Sequence, residues 1–512
     1  MADNLASFKV FCQGGLNTSR DVLSQGETQP GSATSLINYE PAVTGGYRKI
    51  NGFSNDFGTV TGTGSVLGVC VVNGINDGIL ACRTPSSGNN YLHKWNNSTS
   101  SWDAITTSGS PTMSGVTKVR FTKYNFGSPK VILTDGVNPA ATYDGSTYTQ
   151  ITHANAPDDP KLSALFQNHM FLAGDPNENT NLHFSAPLAE TDFSPANGAG
   201  VINVGFPIVA IKTFRDALFI FGSNNIRKLI GNNLSNFVLE TVTDDLGCLA
   251  TDSVIEIGGD LLFLSQDGLR PISGTDKIGD VNLETVSKDI QSIFTDVVFD
   301  IDLEGLNAVV IRQKTQFRYF FGAADSQGII GGFRQTPNGL QFEYGQMLGI
   351  TATCADSGYI GQNEFVLHGD SSGKVYRQEQ GNSFAGTAIF SLFQTPFFHM
   401  QDPEQRKVFY TVATYLRSEG DNEIVMSAVY DYEDVDTLNP TNFNLSTAGA
   451  AAFFNEATYN STAIFDGNPS PVQRTNISGS GKSASFKFVT NDSSASHSIQ
   501  GLVITFGVGD RL

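Results

Sequence analysis

Charge is scarce in this sequence. Charged residues fill 16% of its 512 positions, and 31 Lys plus Arg face 50 Asp plus Glu. The resulting net charge of −19 argues against a surface that grips nucleic-acid backbone, because phosphate contacts need Lys and Arg. It is compatible with a wall past which DNA slides, where like charge prevents sticking. Cysteine is also sparse. Cys12, Cys70, Cys82, Cys248 and Cys354 are scattered and odd in number, with no CxxC pair. That pattern excludes a dense disulfide framework and fits thiols buried as small apolar groups in a reducing compartment. The seven histidines, His93, His153, His169, His183, His368, His399 and His497, show no HExxH or similar ligand spacing. No apolar run reaches the roughly 18 residues of a membrane span. The opening MADNLASFKVF lacks a basic segment followed by an apolar one, so no signal peptide is expected.

Aromatics and turn formers are abundant, with 37 Phe and 53 Gly in a chain that is 39% hydrophobic. Many turns, many aromatics and little charge predict an all-β protein. The length suits two or three units better than one core. The stretch from His183 to Phe294 shows the pattern most plainly. Its apolar runs Ala217-Leu218-Phe219-Ile220-Phe221 and Leu261-Leu262-Phe263-Leu264 stop at Gly222-Ser223-Asn224-Asn225 and Ser265-Gln266-Asp267-Gly268. Short apolar strands ending in such turns predict antiparallel hairpins, and their succession predicts a β-propeller. A helix is predicted near the end of the stretch, capped by Asn282, with Leu283, Val286, Ile290, Ile293 and Phe294 on its packed face.

Three regions follow from the order of these signals. Residues 1–55 are an N-terminal arm in which Gly45-Gly46 turns the chain and Tyr47-Arg48-Lys49 is read as a solvated basic patch. Residues 56–395 are the β-propeller, with turns at Asp135-Gly136, Asp267-Gly268 and Asp370 as the nearest thing to a repeat. Gln394-Thr395-Pro396 marks the boundary to residues 396–512, a β-sandwich-like domain carrying a Ser/Asn-rich insertion over about 433–482.

Several chemical signatures fail on inspection. Asn476-Ile477-Ser478-Gly479-Ser480-Gly481-Lys482-Ser483 has Asn where a phosphate loop needs its first Gly, and a strand follows where a helix is required. Gly62 to Gly68 misses the dinucleotide spacing by one residue. Ser265-Gln266-Asp267-Gly268 resembles a sialidase Asp-box, but its Gly comes one position early and no Trp follows. The acidic groups Asp244-Asp245, Asp300 to Glu304 and Asp431 to Asp436 do not match a calcium loop. No carboxylate pair is singled out for glycoside hydrolysis, and Gly-x-Ser-x-Gly matches lack an elbow context. No catalytic, cofactor or metal residue is therefore assigned.

One resemblance joins these features. Gly14-Gly15-Leu16-Asn17, the segment Asn38 to Pro41 with Tyr39, and Gly45 to Gly52 with Arg48 resemble the start of tail nozzle proteins of short-tailed phages. That family is also called tail tubular or packaged-DNA stabilisation proteins. Leu182 to Pro187 with Phe184 and Ser185, Gly247 to Ala250, and Phe263 to Gly268 with Ser265 and Asp267 are similar to its central part. The resemblance covers roughly residues 1–300. His183, where Trp or Tyr is frequent, and the 433–482 segment depart from it. The family implies a β-propeller with a further β domain, assembled as a homo-oligomeric ring, usually a hexamer. It implies an adaptor protein and a tail fibre, needle or tip protein as partners. Viral DNA would pass through the channel without specific binding. It further implies a virion tail part assembled in the host cytoplasm, with no membrane insertion, no cofactor and no enzymatic activity. The alternative is a receptor-binding or glycan-degrading tail propeller.

Overall fold

The computed structural model describes residues 5–508 apart from 43–44, 274–284, 301–302, 323–325, 337–338, 401, 435 and 448–470. The chain is all-β, with 50% strand and 7% helix, and six blades are arranged as a β-propeller. The first blade comprises Thr63–Val71, Ile79–Thr84, Leu92–Asn96 and Ser101–Ala104. The second runs from Arg120–Asn125 through Pro129–Thr134 and Ala141–Tyr143 to Tyr148–Gln150. Leu162–Phe166, His169–Ala173, Asn181–Phe184 and Gly200–Asn203 form the third. Ala210–Phe214, Ala217–Phe221, Ile226–Ile230 and Val238–Thr243 form the fourth. The fifth has three strands, Ile255–Ile257, Asp260–Ser265 and Gly268–Pro271.

The second strand of a blade is covered on both faces by neighbouring blades. Every residue of His169–Ala173 and of Ala217–Phe221 is buried, as is all of Asp260–Ser265 beyond its first residue. Double coverage explains why these strands are continuous apolar runs and do not alternate. The turns between them are held by aspartates. Asp135 accepts the backbone N–H of Val137 at 2.8 Å and of Asn138 at 2.7 Å. Asp370 accepts from Ser372 at 3.0 Å and Lys374 at 2.7 Å. A carboxylate that mimics a backbone turn in this way fixes the hairpin without help from packing.

The sixth blade consists of Cys354–Ile360, Asn363–Gly369 and Val375–Gln378, and is completed by Phe53–Ser54 from the start of the chain. Between blades five and six stands a further antiparallel run, Asn307–Ile311, Gln316–Phe320, Gln327–Thr336 and Gly339–Leu348. Its first strand touches the inner strands of both neighbouring blades. The run does not end at the propeller rim. It continues through Ser35–Ile37, Ile389–Gln394, Ala484–Asp492, Glu423–Tyr430 and Phe443–Ser446 into one nine-stranded sheet.

A seven-stranded sheet faces the outer part of that sheet. It contains Leu5–Phe11, Tyr39–Pro41, Tyr47–Lys49, Lys407–Ser418, Val472–Asn476, Ser480–Gly481 and His497–Val508. Tyr39, Tyr47, Val412, Met426, Phe488 and Ile504 lie in their common core. This is the additional β-sandwich-like domain. Lys407–Ser418 alternates buried and exposed over most of its length, as a strand covered on one face should. Within 433–482, the segment read as an insertion, Phe443–Ser446, Val472–Asn476 and Ser480–Gly481 are strands, while 448–470 lie outside the described residues.

Two sequence expectations are corrected. Tyr47-Arg48-Lys49 is not a solvated patch: Tyr47 and Lys49 are buried, because the ring fills the sandwich core and Lys49 Nζ meets Asp492 at 2.7 Å. The predicted helix begins later than its spacing implied. A 3-10 turn at Lys288–Ile290 leads into the helix Gln291–Asp300, with Ile290 and Phe294 buried, and Asn282 and Leu283 lie outside the described residues.

Candidate functional site

The inner strands line an axial cavity of about 240 Å³. Its charged lining is drawn from separate blades. Lys118 leads into blade two and Arg120 opens its inner strand, Lys212 lies on the inner strand of blade four, Asp252 precedes blade five, and Asp356 belongs to blade six. Asp252 is clamped by Lys118 at 2.8 Å and by Arg120, whose Nε and Nη2 approach its two oxygens at 2.9 and 2.7 Å. Burial alone would raise the Asp252 carboxyl, but the two cations outweigh it and hold the group well below its ordinary value. Asp252 is thus a fixed negative charge and a poor proton donor. Glu304 extends the cluster, lying 3.7 Å from Arg120 and pairing with Lys161.

A second cluster occupies the same channel. Lys123 Nζ meets Asp356 at 2.7 Å, and Asp356 accepts the Val71 N–H at 2.8 Å. Burial would lower the Lys123 ammonium, and Asp356 outweighs it, so its pKa rises. Arg312 donates to Ser357 Oγ at 3.0 Å and lies 3.7 Å from Glu364. Lys212 is exposed to the cavity, yet enclosed enough that desolvation lowers its pKa. Glu256 opposes that shift, and Lys123 adds to it by repulsion. Among the described residues, no group of three or more His, Cys, Asp or Glu is arranged to hold a metal ion.

The residues that carry the family resemblance lie elsewhere, and the N-terminal ones come together. Gly14 donates its N–H to Glu343 Oε1 at 2.7 Å, and Gly15 donates to the Tyr47 hydroxyl at 3.0 Å. Gly15 has φ +65°, and a Cβ there would sit 2.6 Å from the Tyr344 nitrogen, so the position demands glycine. Leu16 N–H donates to Tyr344 O at 2.7 Å. Buried Asn17 donates to Asp289 at 3.1 Å. Tyr39 OH pairs with His497 Nε2 at 2.8 Å, and Pro41 O accepts from Gln316 at 3.4 Å. Gly52 lets the chain pass against the Ser383 backbone.

Arg48 anchors an ion network across this seam. It reaches Glu40 at 3.1 Å and grips Glu419 with Nε at 2.6 Å and Nη2 at 2.5 Å. Lys314 bonds Glu40 at 2.6 Å and Glu379 at 2.5 Å, and buried Arg318 pairs with Glu379. The network joins the N-terminal segment, the 307–348 run, blade six and the sandwich.

The remaining resemblance residues are dispersed among blades. Phe184 packs with Phe171 and Phe237, and Ser185 Oγ accepts the Met170 N–H at 3.0 Å. Gly247 lies against the backbone of Gly222 and Ser223. Ser265 is buried, Asp267 binds Arg270 at 2.8 Å, and Gly268 turns with φ +114°. None of these residues lines the axial cavity. Sequence reasoning missed Lys118, Arg120, Lys123, Lys212, Asp252 and Asp356. A usable signal was there: in a chain so poor in charge, charged residues at or just before successive inner strands mark the channel wall.

No family model and no curated protein matches the chain. Several solved structures are similar to it. Hsv2 of Kluyveromyces lactis shares 9% identity over 56% of this chain and 99% of that one, with a TM-score of 0.30. An ancestral GH74 enzyme shares 11% over 73% of this chain and 53% of that one, with a TM-score of 0.39. The exo-β-1,3-galactanase of Phanerochaete chrysosporium shares 10% over 89% and 100%, with a TM-score of 0.25. The likeness concerns the propeller fold. Two of these chains are enzymes, against the expectation of no enzymatic activity, which is not carried further; at these TM-scores the likeness assigns no activity to this chain.

Proposed function

We propose that the chain is a subunit of the ring-shaped tail nozzle of a short-tailed phage, retaining packaged DNA below the portal and adaptor and conducting it at ejection. The three solved structures named above are not tail nozzle proteins. The observation that supports the reading is the seam. The residues that resemble the nozzle family from Gly14 to Gly52 tie propeller, sandwich and chain start into one body. A part that holds DNA under pressure needs its units locked in this manner. The net charge of −19 suits a channel wall that repels DNA. In this reading the subunits form a ring, a hexamer in the family, docked on the adaptor and carrying a fibre, needle or tip protein. Electron microscopy and light scattering of the purified protein with its adaptor test it. Rings are expected, and a persistent monomer under all conditions overturns it.

A second reading, a propeller that binds or cleaves glycan, is favoured by a depression of about 580 Å³ on blade three. Asp158, Asp175, Glu178 and His183 line it, with His183 Nε2 2.8 Å from Glu178. His183 is also the residue that departs from the nozzle pattern. Release of reducing sugar from host polysaccharide, abolished in Glu178→Gln, is the expected result. No release from any host glycan, together with no adsorption to host cells, rejects it.

A further inference from the structure

We propose that the axial cavity is a binding site for a small oxyanion, a phosphate or a phosphate monoester. This goes beyond the tail-part reading and does not depend on it. The argument rests on how cations and carboxylates are matched along the channel. Asp252 is shared between Lys118 and Arg120, and Asp356 is taken by Lys123. Arg312 turns to Ser357 and Glu364. Lys212 is left over. Among the described residues its ammonium has no hydrogen bond and no carboxylate within 4.0 Å, although it lines the same cavity. An acidic protein therefore keeps, at the axis of its propeller, an unpartnered ammonium beside other cations.

Such an arrangement is poised for an anion. Glu256 and Asp356 attract Lys212 without pairing with it, and Lys123 and Arg312 repel it. A tetrahedral oxyanion seated beside Lys212 would supply the missing partner and relieve that repulsion. Lys118, Arg120 and Lys161 face two carboxylates, Asp252 and Glu304, so an anion beside Asp252 meets a surplus cation there as well. A recessed site strengthens each of these contacts relative to open water. Among the described residues the lining offers no comparable unpaired carboxylate, so a cation ligand is disfavoured.

The test uses the full-length protein and titration calorimetry at low ionic strength, with inorganic phosphate, a hexose monophosphate and chloride as probes. Phosphate or its ester is expected to bind, and chloride is not. Lys212→Ala should weaken that binding at least tenfold, and Lys212→Arg should largely restore it. Lys482→Ala, which alters a solvent-facing pair with Glu404, should leave it unchanged. Tighter binding of the free ion identifies inorganic phosphate as the ligand class, and tighter binding of the ester identifies a phosphorylated small molecule. Amine acetylation read by mass spectrometry gives an independent readout, because bound anion should slow modification of Lys212 several-fold. Absence of binding by both probes, or binding that Lys212→Ala does not change, overturns the proposal.

Discussion

Replacing Glu379 by Gln tests the seam most directly. Glu379 bonds Lys314 at 2.5 Å and pairs with Arg318, whose side chain is only 1% exposed. Arg318 Nη1 also donates to Gln378 at 2.8 Å, and its other carboxylate neighbour, Glu40, stands 3.6 Å away. The substitution keeps the side-chain shape and removes one charge. It leaves a buried guanidinium and a half-buried ammonium sharing Glu40, which Arg48 already uses. Breaking a buried pair from one side destabilises by about 3–5 kcal/mol, because the surviving charge stays desolvated. Removing both partners, as in Arg318→Met with Glu379→Leu, should be much less damaging for the same reason. Hydrogen exchange is the suitable assay, since a chain of several units need not unfold in one step. Amides of Gln316–Phe320 and Val375–Gln378 should lose about 3–5 kcal/mol of protection in Glu379→Gln. The sign with pH follows from the same site. Burial would raise the Glu379 carboxyl, but Arg318 and Lys314 outweigh it and hold it below its ordinary 4.5. The contribution is therefore complete above pH 4.5 and is lost progressively as pH falls below it. A loss under about 1 kcal/mol in Glu379→Gln, or a double variant worse than the single, would refute the reasoning.

Three further outcomes follow. Gly15→Ala forces a Cβ into the Tyr344 backbone at a left-handed residue, so the chain should lose about 1–3 kcal/mol or more of stability, read as a lower urea midpoint. His497 and His368 are buried, desolvation pulls both down to about 3, and so the folded state favours their neutral forms. Their stabilisation is full above pH 6.5 and shrinks by up to about 1.4 kcal/mol per pH unit for each as pH falls below it, a slope that His497→Gln should reduce. All five cysteines are buried, and desolvation pushes the Cys12 and Cys354 thiols up to about 12. Iodoacetamide should therefore leave the native protein unlabelled and modify all five thiols in denaturant.

The blades were legible wherever a strand is covered on both faces. Ala217–Phe221 and Leu261 to Leu264 announce themselves as apolar runs, and the aspartate turns at Asp135 and Asp370 mark hairpin ends. The blade count was not legible, for two physical reasons. The strand that closes blade six, Phe53–Ser54, has two residues and pairs with Val375–Gln378 more than 300 positions later. The run Asn307–Ile311 to Gly339–Leu348 belongs at once to the ring and to the sandwich sheet, so its pattern follows neither alone. The basic residues Arg48 and Lys49 were misread because composition cannot show that Glu40, Glu419 and Asp492 would meet them. The axial cluster has the same cause: Lys118, Lys212, Asp252 and Asp356 become neighbours only when the ring closes.

The way the two units are joined bears on what the molecule can transmit. In many propellers the closing strand and the accessory domain are separate devices. Here the N-terminal segment serves both, contributing Tyr39–Pro41 and Tyr47–Lys49 to the sandwich and Phe53–Ser54 to blade six. Only three residues, Ile50 to Gly52, separate the two roles, and Gly52 packs directly against the Ser383 backbone. A displacement of the sandwich relative to the ring must therefore pull on the propeller's closure, because so short and tightly packed a link has no slack. The shared nine-stranded sheet supplies a second rigid path, from Asn307–Ile311 at the axis to Phe443–Ser446 at its far edge. Among the described residues, sandwich and axial strands are thus joined by continuous backbone hydrogen bonds and by the Glu40–Arg318–Glu379 cluster.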